Sequence, residues 1–237
     1  MIPVLDEERA IPLVLAELPS RLVDDVVVVD NGSRDASALE AERHGARVVR
    51  EPRRGYGSAC RAGIEAAGDA DVIVFLDGDH SDYPEDLPLI LGPILEGQAD
   101  LVIGSRMILP ESRRALLPQA RFGNRVASWL MKALCGIRCT DLGPFRAIRR
   151  RSLDALDLSD PDYGWTVEMQ LAAKREGLRV REVPVRYRAR IGRSKITGTL
   201  RGSLLAGWKI LRAIARHRFA SAPARASLHE RRQTTES

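Results

Sequence analysis

Two acidic side chains, Asp77 and Asp79, follow a short apolar run that begins at Val72. The run is typical of a buried strand, and both carboxylates would stand at its carboxyl end with Gly78 between them. Carboxylates in this spacing can bind one divalent cation, and ligands of open α/β sheets bind at that edge. A surface turn rich in Asp and Gly has a similar composition, so the triplet alone leaves both interpretations open.

A third acid, Asp30, ends another β-branched run, Val26–Asp30, and Gly32 and Ser33 follow it. If both runs are parallel strands of one wound sheet, their carboxyl ends form a single cleft. Asp30 could then accept hydrogen bonds from a nucleoside base or ribose. Ser33 is interpreted first as the N-cap of the next helix.

A glycine-containing stretch, Arg53-Arg54-Gly55-Tyr56-Gly57-Ser58, lies where a helix is predicted to begin. Glycines at a helix start allow backbone N–H groups to approach an anion, which makes Gly57 a candidate phosphate contact. A tight turn would use the same residues, so that alternative is equally open.

Several other site classes are missing from the sequence. Asp6-Glu7-Glu8 follows the first predicted strand in place of the Gly-x-Gly-x-x-Gly motif, which disfavours a nicotinamide oxidoreductase and a nucleotidyltransferase. There is no Walker loop and no zinc-binding pattern of Cys and His. Cys135 and Cys139, at helical spacing, are interpreted as small buried side chains.

The charge is divided along the chain. Residues 1–100 hold 9 Arg and Lys against 21 Asp and Glu, a net charge of −12. Residues 101–237 hold 28 against 11, a net charge of +17. The acidic half suits a divalent cation, and the basic half, with only four lysines, suits phosphate oxygens. Nucleic acid is disfavoured as a partner because aromatic residues for base stacking make up only 5%.

The elements that must position these residues alternate between strand and helix, as in a wound α/β sheet. Ser81 and Asp82 are interpreted as N-cap residues ahead of Pro84, which suits a first helical turn. The strands are predicted at Val26–Asp30, Ala46–Arg50, Val72–Leu76, Leu101–Gly104, Phe145–Ile148 and Val180–Tyr187. The helices are predicted at Glu8–Leu18, Asp35–Arg43, Ser58–Ala67, Pro84–Leu95, Phe122–Leu134, Thr166–Glu176 and Thr197–Arg218.

One domain is expected over residues 1–218, followed by a flexible tail over 219–237. Its parts would be a nucleotide-binding part (1–105), a part that binds the second substrate, the acceptor (106–195), and an amphipathic C-terminal helix (196–218). The first strand is expected to be short, since only Met1 to Val4 precede the first turn.

No uncharged apolar run is long enough to span a bilayer, and the three cysteines suit a reducing, cytoplasmic setting. The final helix carries Leu200, Leu204 and Trp208 on one stripe, with Arg201 and Lys209 beside it. Such a helix could contact the inner face of the cell membrane as a peripheral element, or it could pack on the core with a solvated basic side.

Six motifs occur in an order that resembles family 2 glycosyltransferases, most closely the dolichyl-phosphate mannose and undecaprenyl-phosphate sugar synthase branch. The likeness covers about residues 2–210, and the order is specific although each motif alone is not. The motifs are Pro3-Val-Leu-Asp-Glu-Glu8, Val29-Asp-Asn-Gly-Ser33, Asp77-Gly-Asp79, Ile103-Gly-Ser-Arg106, Asp141-Leu-Gly-Pro-Phe-Arg146 and Arg190-Ile-Gly-Arg-Ser-Lys195.

The resemblance implies a GT-A fold with a mixed, mainly parallel sheet, and Mg²⁺ or Mn²⁺ held by Asp77 and Asp79. Two departures concern that metal site: Asp6 stands where the family usually has Asn, and Ser81 stands where many members have Gln as a metal ligand. Water would then complete the metal's coordination. Nucleoside and diphosphate contacts fall on Pro3, Val4, Glu7, Asp30, Gly32, Gly57, Asp77 and Gly78, and phosphate contacts on Arg106, Arg190, Ser194 and Lys195.

The implied reaction is inverting transfer of a hexose from a nucleoside-diphosphate sugar, UDP-glucose being favoured over GDP-mannose, to a polyprenyl phosphate or similar acceptor. A phosphate acceptor is already anionic and needs steering more than deprotonation, whereas a hydroxyl acceptor needs a general base. Arg106 is a candidate catalytic residue as well as a phosphate contact. Asp141 and Glu168 are the candidate bases. A cap role for Asp141 and an arginine partner for Glu168 are the structural alternatives.

Two other functions stay open. The first is a soluble glycosyltransferase with a small hydroxyl acceptor such as a glycerate. The second is a catalytically silent protein that binds nucleotide sugars. Metal-dependent hydrolysis of the donor would distinguish the silent binding protein from either glycosyltransferase.

Overall fold

The computed structural model describes residues 1–192. The predicted helix at Thr197–Arg218, the tail, Ser194 and Lys195 therefore lie outside the described residues. The strands of the described part are β1 (Ile2–Val4), β2 (Val27–Asp30), β3 (Arg47–Arg50), β4 (Val72–Phe75), β5 (Leu101–Ser105), β6 (Arg146–Arg149) and β7 (Val180–Pro184). The α-helices are α1 (Ile11–Ala16), α2 (Ser37–Arg43), α3 (Tyr56–Ala66), α4 (Leu87–Leu95), α5 (Pro110–Ala115), α6 (Pro118–Cys135), α7 (Arg150–Asp154) and α8 (Trp165–Arg175), and short 3₁₀ turns cover Ser20–Leu22 and Pro84–Asp86.

The strands form one mixed sheet. Strands β1, β2 and β3 pair in parallel, and β4, β6, β5 and β7 follow in that order. The Met1 amino group donates a hydrogen bond to the Val74 carbonyl oxygen at 2.6 Å, and the Leu76 N–H donates to the Met1 carbonyl oxygen at 3.2 Å. These bonds set β1 parallel to β4, so the order is β3-β2-β1-β4-β6-β5-β7, with β6 antiparallel to both neighbours. The mixed, mainly parallel sheet is confirmed.

This topology brings the carboxyl ends of β1, β2, β4 and β5 to one edge of the sheet. Because β6 runs in the opposite direction, its amino end reaches the same edge. Asp30 is the last residue of β2, Asp77 and Arg106 follow β4 and β5, and Asp141 precedes β6. The edge therefore collects acidic and basic side chains that are far apart in the sequence.

Alternating side chains along the inner strands β2, β5 and β6 are buried on both faces of the sheet, as the strand period of two requires. Val102 of β5 packs with α1 and α4 on one face. Its neighbours Leu101 and Ile103 pack with Trp165 and Met169 of α8 on the other. Helices on both faces hold the edge rigidly, which is what a site built from strand ends needs.

Three predicted features of the elements are wrong. Helix α2 begins at Ser37, and neither Ser33 nor Ser81 caps a helix, because their hydroxyl groups bond within the loops at the sheet edge. The predicted strand Val180–Tyr187 ends at Pro184. Pro84 does occupy the first turn of its 3₁₀ element, as predicted.

Over residues 1–192, no helix combines the length and the apolar character needed to cross a membrane.

Candidate active site

The loop after β4 carries the two carboxylates that the sequence singled out. Asp77 is half-buried and Asp79 is 4% exposed. A Cβ atom at Gly78 would lie 2.7 Å from Cγ1 of Val4 and 3.3 Å from the Pro3 carbonyl oxygen. Only glycine therefore allows this loop to lie so close to β1, which explains the small residue between the two acids.

Hydrogen bonds fix the orientation of Asp79. Its Oδ1 accepts hydrogen bonds from the Ser81 N–H at 2.9 Å and the Ser81 hydroxyl at 2.5 Å. Its Oδ2 forms an ion pair with the Arg190 guanidinium. Ser81, where a glutamine ligand would be expected, thus acts on the neighbouring carboxylate.

The electrostatic environment of Asp77 suits a cation. Burial raises the pKa of Asp77 to about 7, and the negative charge of Asp79 acts in the same direction. Arg190 and Arg106 lower the pKa, but they do not offset these effects. A divalent ion beside Asp77 and Asp79 would oppose both effects, because its positive charge stabilises the ionised carboxylates.

A third carboxylate, Asp82, was missed as a functional residue. It is 2% exposed, and neither carboxylate oxygen has a hydrogen-bond partner in the described part of the chain. Burial and then the charge of Asp77 raise its pKa well above the usual value, although Arg106 opposes them. The signal that could have identified it is its position three residues after Asp79, which was interpreted as a helix cap.

The donor set fits a magnesium or manganese ion of the kind that is shared with a phosphate ligand. In residues 1–192, no three Asp, Glu, His or Cys side chains are arranged to hold a metal by themselves. Such ions are commonly bound by one or two carboxylates, with phosphate and water oxygens completing the coordination. Asp77 and Asp79 provide that number.

The loops after β1 and β2 are joined by hydrogen bonds. The Asp6 N–H donates to the Ser33 hydroxyl at 3.0 Å, and the Arg34 N–H donates to Oδ1 of Asp6 at 2.7 Å. The Ser33 N–H donates to Oδ1 of Asp30 at 2.9 Å. Asp6 adopts a φ of 54°, in the left-handed region that Asn and Asp tolerate best among side-chain-bearing residues.

The predicted nucleoside-binding residues of these two loops are adjacent. Pro3 pairs with Val29, and Val4 pairs with Asp30, in the parallel ladder of β1 and β2. Gly32 has a φ of 83° and lies beside the guanidinium group of Arg54. Their contact with a nucleoside stays a prediction, but the structure places them together at the sheet edge.

Asn31 is a second residue that sequence reasoning missed. Its side-chain amide donates to the carbonyl oxygens of Glu51 at 2.9 Å and Arg53 at 2.8 Å, and its carbonyl accepts from the Gly55 N–H at 2.8 Å. All of its polar contacts are to backbone atoms. Asn31 therefore ties the end of β2 to the loop that precedes α3.

The predicted anion contact at Gly57 stays a prediction, and the protein's own backbone occupies the space beside this glycine. The Ser58 N–H donates to the Pro161 carbonyl oxygen at 2.9 Å. A Cβ atom at Gly57 would lie 2.0 Å from the Asp160 carbonyl oxygen. The glycine serves a close approach between two loops.

Arg106 and Asp141 form a buried ion pair. Asp141 is 0% exposed. Its Oδ2 accepts hydrogen bonds from the backbone N–H and the Nε of Arg106, and its Oδ1 accepts one from a terminal nitrogen of the same guanidinium, all at 2.8 Å. Burial alone would lower the pKa of Arg106, but the charge and hydrogen bonds of Asp141 raise it well above the usual value. The guanidinium carbon lies 5.1 Å from the ring centroid of Tyr187.

These contacts bear on the predicted bases. Asp141 orients Arg106, and it could accept a proton only if the ion pair opened. Glu168 accepts hydrogen bonds from the N–H groups of Ser159 at 3.0 Å and Asp160 at 2.8 Å, and from the Ser159 hydroxyl at 3.0 Å. Its partners in the described chain are thus a loop backbone and a serine, and the expected arginine partner is wrong.

The segment that follows β7 covers the loop after β4. The Arg188 N–H donates to the Ser81 carbonyl oxygen at 2.9 Å, and the Ile191 N–H donates to the Asp79 carbonyl oxygen at 3.0 Å. The Arg190 guanidinium also lies 3.8 Å from Oε1 of Glu7. Arg190 therefore links the loops of β1 and β4 across the candidate cleft.

Comparison with known proteins agrees with this arrangement. The family described as glycosyl transferase family 2 matches residues 1–156. An uncharacterized glycosyltransferase of Mycobacterium tuberculosis is 39% identical over 215 residues, covering 89% of this chain and 96% of that protein. The undecaprenyl-phosphate mannosyltransferase of Micrococcus luteus is 32% identical over 240 residues, covering 90% of this chain and 96% of that protein.

A similar fold occurs in the glucosyl-3-phosphoglycerate synthase of Mycobacterium tuberculosis, solved with Mn²⁺, uridine-diphosphate-glucose and phosphoglyceric acid. The TM-score is 0.70 at 26% identity, over 90% of this chain and 78% of that one. The same synthase has also been solved with Mg²⁺ and uridine-diphosphate. By its sequence, its GT-A fold and the motifs gathered at the sheet edge, the chain belongs to glycosyl transferase family 2.

Proposed function

We propose that this glycosyltransferase moves a hexose, with inversion, from a nucleoside-diphosphate sugar to a polyprenyl phosphate in a metal-dependent reaction. The observation that carries the proposal is the meeting of Asp77 and Asp79 with two arginines, Arg106 and Arg190, at the edge formed by the β1 and β2 loops. This combination suits a diphosphate: a cation site for one part and guanidinium groups for the rest.

Asp77 and Asp79 would hold the Mg²⁺ or Mn²⁺ ion. When bound, the ion neutralises the negative charge that develops on the leaving diphosphate. The synthase of Mycobacterium tuberculosis, solved with Mn²⁺ and uridine-diphosphate-glucose, supports this assignment. It also supports UDP-glucose as the preferred donor, with GDP-mannose as the second choice.

Arg190 and Arg106 supply positive charge from the protein itself. Both guanidinium groups are held by carboxylates, so they need little reorganisation when charge develops near them. The predicted phosphate contacts Ser194 and Lys195 would add to this group.

The acceptor is proposed to be a phosphate because both predicted bases are already engaged in hydrogen bonds within the protein. Asp141 is paired with Arg106, and Glu168 holds the loop at Ser159. A phosphate monoester, with a second pKa of about 6, is largely anionic at neutral pH and needs no base. The relative that is an undecaprenyl-phosphate mannosyltransferase supports this acceptor class.

A small hydroxyl acceptor such as a glycerate is the second candidate. The structural likeness to glucosyl-3-phosphoglycerate synthase favours it. That reaction would need a general base, which would require the Asp141 pair or the Glu168 contacts to open. A third candidate, a protein that binds nucleotide sugars without catalysis, predicts no metal-dependent turnover of the donor.

The proposed setting is the cytoplasmic face of a membrane, with peripheral contact. A polyprenyl phosphate is confined to a bilayer, so a transferase that uses it must reach the headgroup region. The apolar and basic stripes of the sequence beyond residue 195 are consistent with such contact.

The test measures glycoside formation by mass spectrometry. Full-length protein is incubated with Mn²⁺ and either UDP-glucose or GDP-mannose, together with a short-chain polyprenyl phosphate, 3-phosphoglycerate or no acceptor. We expect a polyprenyl-phosphate glycoside, lost in Asp79→Asn but not in Asp157→Asn, which changes an exposed acid. A product with 3-phosphoglycerate alone would favour the second candidate. No product and no donor hydrolysis would contradict the proposal.

A further inference from the structure

Helix α6 (Pro118–Cys135) presents an apolar stripe to solvent. Phe122 is 71% exposed, Trp129 is 65% exposed and Val126 is 40% exposed. Their spacing of four and three residues places these side chains on one face of the helix. Large aromatic residues rarely stand exposed together without a partner surface.

The opposite face anchors α6 to the protein. Asn124, Ala127 and Met131 are buried, and they repeat at the spacing of a second helical face. The Asn124 side chain donates to the Thr140 carbonyl oxygen at 2.9 Å and accepts from the Leu142 N–H at 3.0 Å. The orientation of the helix is thus fixed, and the aromatic stripe faces away from the core.

Cations accompany this stripe. Arg121, Arg125 and Lys132 lie along one edge of it by helical spacing. Between residues 107 and 140 the sequence holds six Arg and Lys against one acid, Glu111. The surface therefore combines bulky apolar groups with positive charge.

We infer that the exposed face of α6 docks on an anionic phospholipid bilayer. Phe and Trp side chains enter the interface of a membrane, while neighbouring Arg and Lys attract its anionic headgroups. This inference deepens the proposed function, because a polyprenyl phosphate presents its phosphate at such a surface. Asp141, the partner of Arg106, lies six residues after the end of α6, so docking would hold the candidate site near the headgroups.

Charge argues against two other partners for the exposed face of α6, a second copy of the chain and residues 193–237. In a symmetric contact with a second copy, the same cations would face each other, which is unfavourable. Residues 193–237 hold ten Arg and Lys against two Glu, so that segment offers no complementary charge either. An anionic lipid surface provides the negative charge that a second copy and residues 193–237 do not offer to this face.

The first test places Trp129 at the membrane directly. In a Trp208→Phe background the remaining tryptophans are Trp129 and Trp165, which is 1% exposed. Vesicles of phosphatidylglycerol and brominated phosphatidylcholine should quench the emission, and a further Trp129→Phe change should remove most of that quenching. Vesicle binding without quenching of Trp129 would overturn the inference.

The second test measures the contribution of the face to binding. Phe122→Gln combined with Trp129→Gln should weaken co-sedimentation with anionic vesicles at least tenfold. Leu95→Gln is the matched control, since Leu95 is 68% exposed on α4. Unchanged vesicle binding in the double variant, or loss of a dimer in light scattering, would overturn the inference.

The two proposals fail separately. The double variant should keep metal-dependent turnover with a water-soluble short-chain acceptor. If the protein binds vesicles through α6 but transfers no sugar, the proposed function fails and the docking surface stands. If it transfers sugar but ignores vesicles, the docking surface fails alone.

Discussion

At the scale of single residues, the buried pair of Arg106 and Asp141 decides what Asp141 can do. Arg106 donates three hydrogen bonds to its carboxylate, two from the guanidinium and one from the backbone N–H, and the Asp141 side chain has no contact with solvent. Breaking a buried ion pair by neutralising one partner leaves the other charge uncompensated. Asp141 is therefore a positioning residue in this arrangement, and its substitution should affect the fold as well as turnover.

We predict that Asp141→Asn lowers the free energy of unfolding by about 3–5 kcal/mol, because Arg106 stays buried without its counter-charge. Urea unfolding followed by circular dichroism measures this. Asp154→Asn is the matched control: it removes an exposed pair with Arg150, which should contribute less than about 1 kcal/mol. An Asp141→Asn protein of unchanged stability that has lost only turnover would instead support a role as general base.

The unpartnered carboxyl of Asp82 predicts a stability that depends on pH. Burial raises the pKa of Asp82 well above its value of 3.8 in the unfolded chain, so the folded state holds the proton more tightly. The resulting stabilisation is complete below the unfolded pKa and is lost as the pH rises. An amide resembles the protonated carboxyl and does not lose this contribution.

Asp82→Asn should therefore be more stable than the parent protein at alkaline pH. We expect its melting temperature to be higher by about 2 °C or more at about pH 8, with a smaller difference at about pH 5. Asp157→Asn, at an exposed position, should show no such pH-dependent difference. A variant that is less stable than the parent at both values would mean that Asp82 is stabilised as an anion.

The sequence predicted the acids at the strand ends better than it predicted their partners. Asp77 and Asp79 could be identified because a buried strand leads straight to them. The pairing of Arg106 with Asp141 spans 35 residues, and the role of Ser81 depends on a loop conformation. Such contacts follow from tertiary packing, which no local pattern contains.

At the scale of elements, α3 and the loop before α8 approach each other through glycine. The Asp160 carbonyl oxygen would lie 2.0 Å from a Cβ atom at Gly57, and the Pro161 carbonyl carbon would lie 2.9 Å from it. Both are backbone atoms, which cannot rotate away as a side chain can. The contact fixes the start of α3 against the loop that Glu168 holds.

Gly57→Ala should therefore lower the free energy of unfolding by about 1–3 kcal/mol, because the loop must move to admit one methyl group. Gly92→Ala is the control, since a Cβ atom there meets nothing within 4 Å and lies in helix α4. Alanine at that position should be neutral or stabilising by up to about 1 kcal/mol. Equal stability of the two variants in urea unfolding would disprove the close approach.

Elements with a clear apolar pattern were predictable, and two short polar helices were not. Each predicted helix and strand within residues 1–192 has a counterpart there, because apolar periodicity is clear over about two turns or four strand residues. Helices α5 and α7 consist mainly of polar residues and have no apolar period, whereas α1, equally short, is almost entirely apolar. Strand β7 ends at Pro184, which has no N–H group to continue the ladder.

At the scale of the whole molecule, the division of charge along the chain becomes a meeting of charges in space. Asp77 and Asp79, in the loop after β4, come from the acidic half of the chain, and Arg106 and Arg190 come from the basic half. The parallel topology places Asp77, Asp79 and Arg106 at the sheet edge. Arg190 reaches the same edge from the segment after β7. Arg190 forms an ion pair with Asp79, so a cation bound at that carboxylate would compete with Arg190.

This competition predicts that Mn²⁺ and UDP stabilise the protein jointly. Mn²⁺ alone must displace Arg190 from Asp79 with only two protein carboxylates to hold it, and UDP alone meets the repulsion of both acids. When both ligands are present, diphosphate oxygens would complete the coordination of the ion, and Arg190 could pair with the diphosphate instead of Asp79. We expect the melting temperature to rise more with both ligands than the two separate shifts combined, by linkage of binding to folding.

Asp79→Asn should abolish the joint effect while leaving the melting temperature of the ligand-free protein within a few degrees of the parent. The Asp157→Asn protein should retain the full joint shift. Additive shifts in the parent protein would mean that cation and nucleotide bind independently. In that case Asp77 and Asp79 would not form the bridge between the acidic edge of the sheet and a diphosphate.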